Sequence, residues 1–203
     1  MRTSFFKFII PFILVLSFSV TAAASQSRTH DGFFLRMGLG GGFANSSSDS
    51  PYGDVNVKGG AVDLELSIGG NIVENFALHA DLFGLFIPGP TLEMDGYETD
   101  TGAEDVSFSI NAFGAGFTYY FMPVNLYVSL SAGLAVLQMQ VENMTSETDP
   151  GFGTRFMIGK EWWVSDEWGL GAAGNFIFSV VKDSDDSTWV SMGGGLLFSV
   201  TFN

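Results

Sequence analysis

The chain has 203 residues, no cysteine, and 22 acidic against 8 basic side chains, a formal charge of −14. So acidic a chain is repelled by phosphate backbones, which excludes nucleic acid as a partner, and the lack of cysteine excludes both a disulfide scaffold and a lipid-modified amino-terminal cysteine. Its mean hydropathy of +0.28 is high for an exported soluble domain.

The first element is an export signal. Met1-Arg2-Thr3-Ser4-Phe5-Phe6-Lys7 is basic, an apolar run follows from Phe8 to Val20, and Ala22-Ala23-Ala24 supplies small residues. The run is shorter than the ~20 residues of a spanning helix, so the pattern predicts a signal peptide over residues 1–24 and one mature domain over 25–203. Loss of Arg2 and Lys7 leaves 6 basic and 22 acidic side chains, a mature charge of −16.

From there the chain alternates with period two, as strands with one apolar face do. Over Gly32 to Ala44, Phe33, Leu35, Met37, Leu39 and Phe43 share one face, while Phe34, Arg36, Gly38, Gly40 and Gly42 share the other. Over Ala61 to Gly70, Val62, Leu64, Leu66 and Ile68 oppose Asp63, Glu65 and Ser67; from Phe76 to about Phe86, Phe76, Leu78, Ala80 and Leu82 oppose Ala77, His79, Asp81 and Phe83. A fourth strand runs from about Val106 to Tyr120, with Val106, Phe108, Ile110 and Ala112 on its apolar face. A fifth begins at Leu126, with Leu126, Val128, Leu130 and Leu134 opposing Tyr127, Ser129 and Ser131. Thr154 to Trp162 sets Phe156 and Ile158 against Arg155 and Glu161; Trp168 to Val180 and Trp189 to Phe202 complete eight strands.

The connections alternate in length. Polar, acid-rich ones are expected at about 45–60, 88–105, 141–153 and 182–187, and short ones at about 71–75, 121–125 and 164–167. Long loops at one end and tight turns at the other describe an up-and-down transmembrane barrel. A lipocalin-like soluble barrel would turn the apolar face inward, but its solvated outer face should then favour Thr, Lys and Glu, whereas the second face here is rich in Gly, Ala and Ser, which suits a crowded lumen. The expected fold is therefore all-β, an eight-stranded antiparallel up-and-down transmembrane barrel.

In such a barrel Arg36, Asp63, Glu65, His79, Asp81, Arg155 and Glu161 should point inward as a polar network, and Tyr120, Tyr127, Trp162, Trp163 and Trp168, beside the short turns, should form an interface girdle. The residues "GFFLRMGLGGGF", "YYFMPVNLYVSLSAGLA", "EWWVSDEWGLG" and "LLFSVTFN" resemble the small outer-membrane barrels of the OmpA/OmpX/OmpW type. That resemblance implies export by the Sec route, insertion by the barrel-assembly machinery, a setting of outer-membrane lipid and lipopolysaccharide, and no cofactor. Its functional expectation is a structural, adhesive or partner-binding role for the acidic outer loops, which can also gather divalent cations.

Two alternatives remain. A charged lumen suits a narrow channel for small or hydrophobic solutes. Barrel enzymes that modify lipopolysaccharide or cleave peptides resemble this chain only in carrying a histidine beside an acid. Here that is His79 with Asp81, and Ser67, Ser107 or Ser109 would have to serve as nucleophile. No catalytic residue and no metal site is assigned.

Overall fold

The computed structural model describes residues 28–50, 53–94, 96–102, 106–142, 144–183 and 187–203. The expected signal peptide, and Tyr52, Asp95, Glu104, Asp105, Asp185 and Asp186 of the expected loops, lie outside them. Eight long strands pair each with the next along the chain, all antiparallel: β1 (Gly32–Ser50), β2 (Gly53–Val73), β3 (Phe76–Pro88), β6 (Val106–Phe121), β7 (Leu126–Val141), β9 (Gly151–Trp163), β10 (Trp168–Lys182) and β11 (Thr188–Phe202). β11 pairs back onto β1, with Leu35 opposite Phe202 and Asp49 opposite Thr188, so the sheet closes. The short strands β4 (Thr91–Met94), β5 (Tyr97–Asp100) and β8 (Met144–Glu147) belong to the outer connections.

The faces divide as the alternation requires. Arg36, Asp63, Ser67, Thr118 and Thr201 are fully buried, whereas Leu39, Phe43, Ile158, Leu196 and Phe198 are exposed, Phe198 by 71%. On β9 the exposed side runs from Phe152 to Trp162, and at ~3.3 Å per residue with a tilt near 40° that is about 25 Å of height, matching the apolar belt of a membrane barrel. An apolar exterior of this extent is incompatible with water. The glycines of the other face let the wall curve inward. A Cβ on Gly42 would lie 2.1 Å from the carbonyl oxygen of Gly194, a contact no side chain can make.

Tight turns close the end where the described residues before β1 and after β11 also lie. Asn75 (φ 67°) and Asn125 (φ 54°) adopt the left-handed conformation that asparagine tolerates. The Asn75 amide donates to the His30 carbonyl and the Asn203 amide to the Glu167 carbonyl, tying the segment before β1 and the end of β11 to the turns.

Three expectations change. Residues 45–50 and 53–60 are strand rather than loop: β1 and β2 stay paired in register from Asn45 opposite Lys58 to Ser50 opposite Gly53. Above the membrane the outward side chains are no longer apolar, so the ladder continues without its period-two signal. The connections 88–105 and 141–153 likewise contain the β4–β5 pair and β8. On the fourth strand the apolar set Phe108, Ile110 and Ala112 faces the lumen, and the lipid-facing set begins at Phe113.

Candidate functional site

The lumen is built in three layers. At the turn end, His30 from the segment before β1 fills the mouth. Its ring stacks on Tyr120 with centroids 3.5 Å apart, approaches Trp163 at 4.8 Å, and its Nε2 meets Asn125 Oδ1 at 2.8 Å. Tyr120 donates to Glu161 Oε1 at 3.1 Å, and Thr201 donates to the same oxygen at 2.7 Å.

The middle layer holds the charges. Arg36 Nε donates to Glu65 Oε1 at 2.8 Å and its Nη2 to Ser129 at 3.2 Å, while Ser67 donates to Glu65 at 2.9 Å. The guanidinium lies over Tyr127, 4.9 Å from the ring centroid. Arg155 Nη2 sits 3.5 Å from Asp63 and 3.6 Å from Glu65, and Asn175 donates to Asp63 from the facing wall. Two arginines thus face four buried carboxylates, Asp63, Glu65, Asp81 and Glu161. Unpaired charges would be expensive here: Glu65 and Asp63 are met by arginines across strands, Asp81 by His79, and Glu161 by the hydroxyls of Tyr120 and Thr201.

The outer layer is apolar. Phe83, Leu85, Ile87, Phe108, Ile110, Leu137, Ile177 and Val181 are buried together, with Val55, Met139 and Trp189 packed against them. Two inward glycines provide the space: a Cβ on Gly193 would lie 2.4 Å from Leu85 Cδ1, and one on Gly59 would lie 2.6 Å from Ile87 Cγ2. This plug was not anticipated, although its signal is present. Alternation fails at Phe83-Gly84-Leu85-Phe86-Ile87 and at Val180-Val181, where both faces are apolar.

His79 donates or accepts on both nitrogens, with Nδ1 at 2.8 Å from Asp81 and Nε2 at 2.9 Å from Thr118 Oγ1, which in turn donates to Ser129 at 2.9 Å. Ser67 is engaged with Glu65, and Ser107 and Ser109 lie far along β6 from Gly116, the residue opposite His79. The hydroxyl on the histidine is therefore a threonine that is itself fully buried.

The girdle is corrected at three positions. Trp162 and Trp168 are exposed toward lipid, but Tyr120 and Tyr127 are buried in the lumen and Trp163 turns inward against His30. Adjacent residues in a strand point to opposite faces, so a paired Trp162-Trp163 can contribute one ring to each. Tyr119 and Phe121 take the lipid-facing places beside Tyr120.

The outer rim carries Asp54, Glu93, Glu98, Asp100, Glu142, Glu147, Asp149 and Asp183, against Lys58 and Lys182 among the described residues. Lys58 pairs with Glu98 at 2.5 Å and Glu93 at 3.5 Å, pinning the β4–β5 hairpin to β2. Tyr97 at the tip of that hairpin is 82% exposed. A cavity of about 100 Å³ at the rim is lined by Phe108, Leu137, Met139 and Trp189 together with Ser146, Glu147, Thr148 and Asp183. Among the described residues no group of three His, Asp or Glu side chains is placed to hold a metal ion.

No protein-family model matches the chain, and no curated protein is similar enough in sequence to be matched. Solved structures are similar in fold. Neisserial surface protein A is 16% identical, with 84% of this chain and 96% of that one covered and a TM-score of 0.53. OprG of Pseudomonas aeruginosa is 11% identical (86% and 98% covered, TM-score 0.49), and the Ail attachment invasion locus protein of Yersinia pestis is 14% identical (83% and 99% covered, TM-score 0.38). With its closed sheet and its lipid-compatible exterior, the chain has the fold of the small eight-stranded outer-membrane β-barrels.

Proposed function

We propose that this outer-membrane barrel is a closed platform that works from its acidic outer rim, holding a cationic partner or surface in an adhesive or envelope-linking role. One observation carries the reading: the charges are segregated. Arg36 and Arg155 are consumed in the lumen, and Arg28 and Lys160 lie at the turn end with the acids Asp31, Glu74, Asp166 and Glu167, so the excess of acid is greater at the rim, where eight described carboxylates stand against two lysines. Such a field raises the local concentration of cations and cationic chains. It also gives divalent cations a place between rim carboxylates and lipopolysaccharide phosphates, while insertion falls to the barrel-assembly machinery reading the amphipathic last strand. The layered filling of the lumen favours this reading over a channel, and the enclosure of His79 favours it over an enzyme.

Two measurements test it. Planar-bilayer recordings of the purified barrel should show no unitary conductance. Cells expressing the protein should be retained on a surface coated with a basic protein, in a salt-sensitive way, and a variant with Glu93, Glu98, Glu142 and Glu147 changed to Gln should lose that retention. Equal retention of the two would overturn the proposal.

A further inference from the structure

Two hairpins stand above the outer mouth, and each has two unlike faces. β4 continues the wall from β2 and carries β5, while β8 folds back on β7. Residues opposite one another in a ladder share a face. Val55 and Val57 have the inward parity of β2, the parity of buried Asp63 and Glu65; they stand opposite Met94 and Leu92, and Met94 stands opposite Tyr97. Met139 and Val141 have the inward parity of β7, the parity of buried Ala135 and Leu137, and stand opposite Ser146 and Met144. Lys58, Glu93 and Glu98 occupy the other face of the first hairpin, where they pair.

The lower residues of the inward faces are already used, since Val55, Leu92 and Met139 pack against the plug. The upper ones are not: Met94 is 56% exposed, Tyr97 82%, Val141 38% and Met144 71%. Their parity turns them from the lipid side to the bore, so the membrane does not cover them. The cavity lined by Phe108 and Trp189 shares Met139 and Ser146 with the β7–β8 hairpin, which joins this apolar surface to a recess beside the plug. Apolar surface held in water and rimmed by charge marks a binding face.

We propose that the space between the two hairpins seats an amphipathic basic peptide segment, its apolar side against Met94, Tyr97, Val141 and Met144 and its flanking lysines or arginines against the rim acids. This inference rests on the acidic-rim reading and adds an apolar requirement to it. Charge selects the occupant: eight described carboxylates against two lysines favour a cationic amphiphile and repel an anionic one such as a fatty acid. The wall suits a pattern rather than one sequence, because unbranched, polarizable methionines repack around different apolar side chains.

The probes are two fluorescein-labelled peptides of equal length and charge. One has leucine and lysine segregated on opposite sides of a helix, and the other has serine in place of leucine. Both are titrated by anisotropy onto the barrel in phosphatidylcholine nanodiscs, with binding to empty discs subtracted. The leucine–lysine peptide should bind about tenfold or more tighter, the worth of burying one apolar side chain. Met94→Ser/Tyr97→Ser/Met144→Ser, checked for folding by unboiled gel mobility, should lose that advantage and keep the affinity for the serine–lysine peptide. Equal binding of the two peptides, or an advantage that survives in the variant, would overturn the inference and leave the charge reading standing, whereas failure of both peptides to bind would overturn both. A leucine–glutamate peptide that binds as tightly as the leucine–lysine one would overturn the choice of a basic occupant, and discs that pair rim to rim without peptide would put a second copy of the chain in its place.

Discussion

Replacing Arg36 by methionine keeps most of the side-chain volume and removes the positive charge at the centre of the lumen. The guanidinium is 1% exposed and its partner Glu65 2%, so solvent screens neither. The change deletes the 2.8 Å bond to Glu65, the bond to Ser129 and the stacking on Tyr127, leaving Glu65 with Ser67 and an arginine 3.6 Å away. Breaking a buried pair by removing one partner costs about 3–5 kcal/mol, and we expect the lower part of that range because Arg155 supplies residual compensation. At a denaturant dependence of about 2 kcal/mol per molar, this moves the urea midpoint down by about 1.5–2 M. The assay is urea unfolding of vesicle-reconstituted protein, followed by tryptophan fluorescence and gel mobility. The double variant Arg36→Met/Glu65→Gln should be less destabilised than the sum of the singles by about 1–3 kcal/mol, since each single leaves a partner stranded. A single-variant loss below about 1 kcal/mol, or strict additivity, would refute the claim that the central layer is held by this ion pair.

Two further outcomes follow from the faces. Phe198→Arg on the lipid side should cost about 2–4 kcal/mol and depress folding into vesicles, because a cation near the bilayer midplane has no partner; a neutral effect in the same urea assay would mean that Phe198 does not face acyl chains. Gly193→Ala should cost about 1–3 kcal/mol by overpacking the plug against Leu85, and Leu85→Val in the same chain should recover part of the loss, whereas no recovery would place the strain at the Phe43 carbonyl, 2.9 Å from the new carbon.

Most of the wall was legible because a membrane strand advertises itself twice, once by an apolar side and once by a crowded polar one. β3, β7 and β11 show both along most of their length, and their expected starts at Phe76, Leu126 and Trp189 fall within one residue of the observed ones. Legibility fails where one of the two faces loses its contrast. Above the belt, Asn45, Ser46, Ser47 and Ser48 look like a loop because lipid no longer selects the outward positions, though Ser46 and Ser48 are buried, Ser46 against Ser191 of the neighbouring β11. In the outer lumen the contrast fails the other way, since Phe108 and Ile110 are as apolar as lipid-facing residues while pointing inward. The same ambiguity misplaced Tyr120, Tyr127 and Trp163, because an aromatic next to a turn can sit in the girdle or seal the mouth. Only the parity of its position along the strand decides between the two.

That parity also bears on what the barrel can do. A lumen assembled for conduction would keep one polar track from end to end, and here the track stops twice. The paired charges of Arg36, Glu65, Arg155 and Asp63 meet buried Leu85, Phe108 and Ile110 on the outer side, and on the inner side meet a mouth filled by His30, Tyr120 and Trp163. Burying those charges without a path to water is costly, so the middle layer is best understood as a cross-brace: Arg36 on β1 ties to β2, β6 and β7, and Arg155 on β9 approaches Asp63 and Glu65 on β2 from the opposite wall. A braced and plugged cylinder holds its outer strand ends at fixed separations. The β4–β5 hairpin, clamped by Lys58, then presents its charges on that frame, which would lower the ordering cost of meeting the cationic partner proposed above.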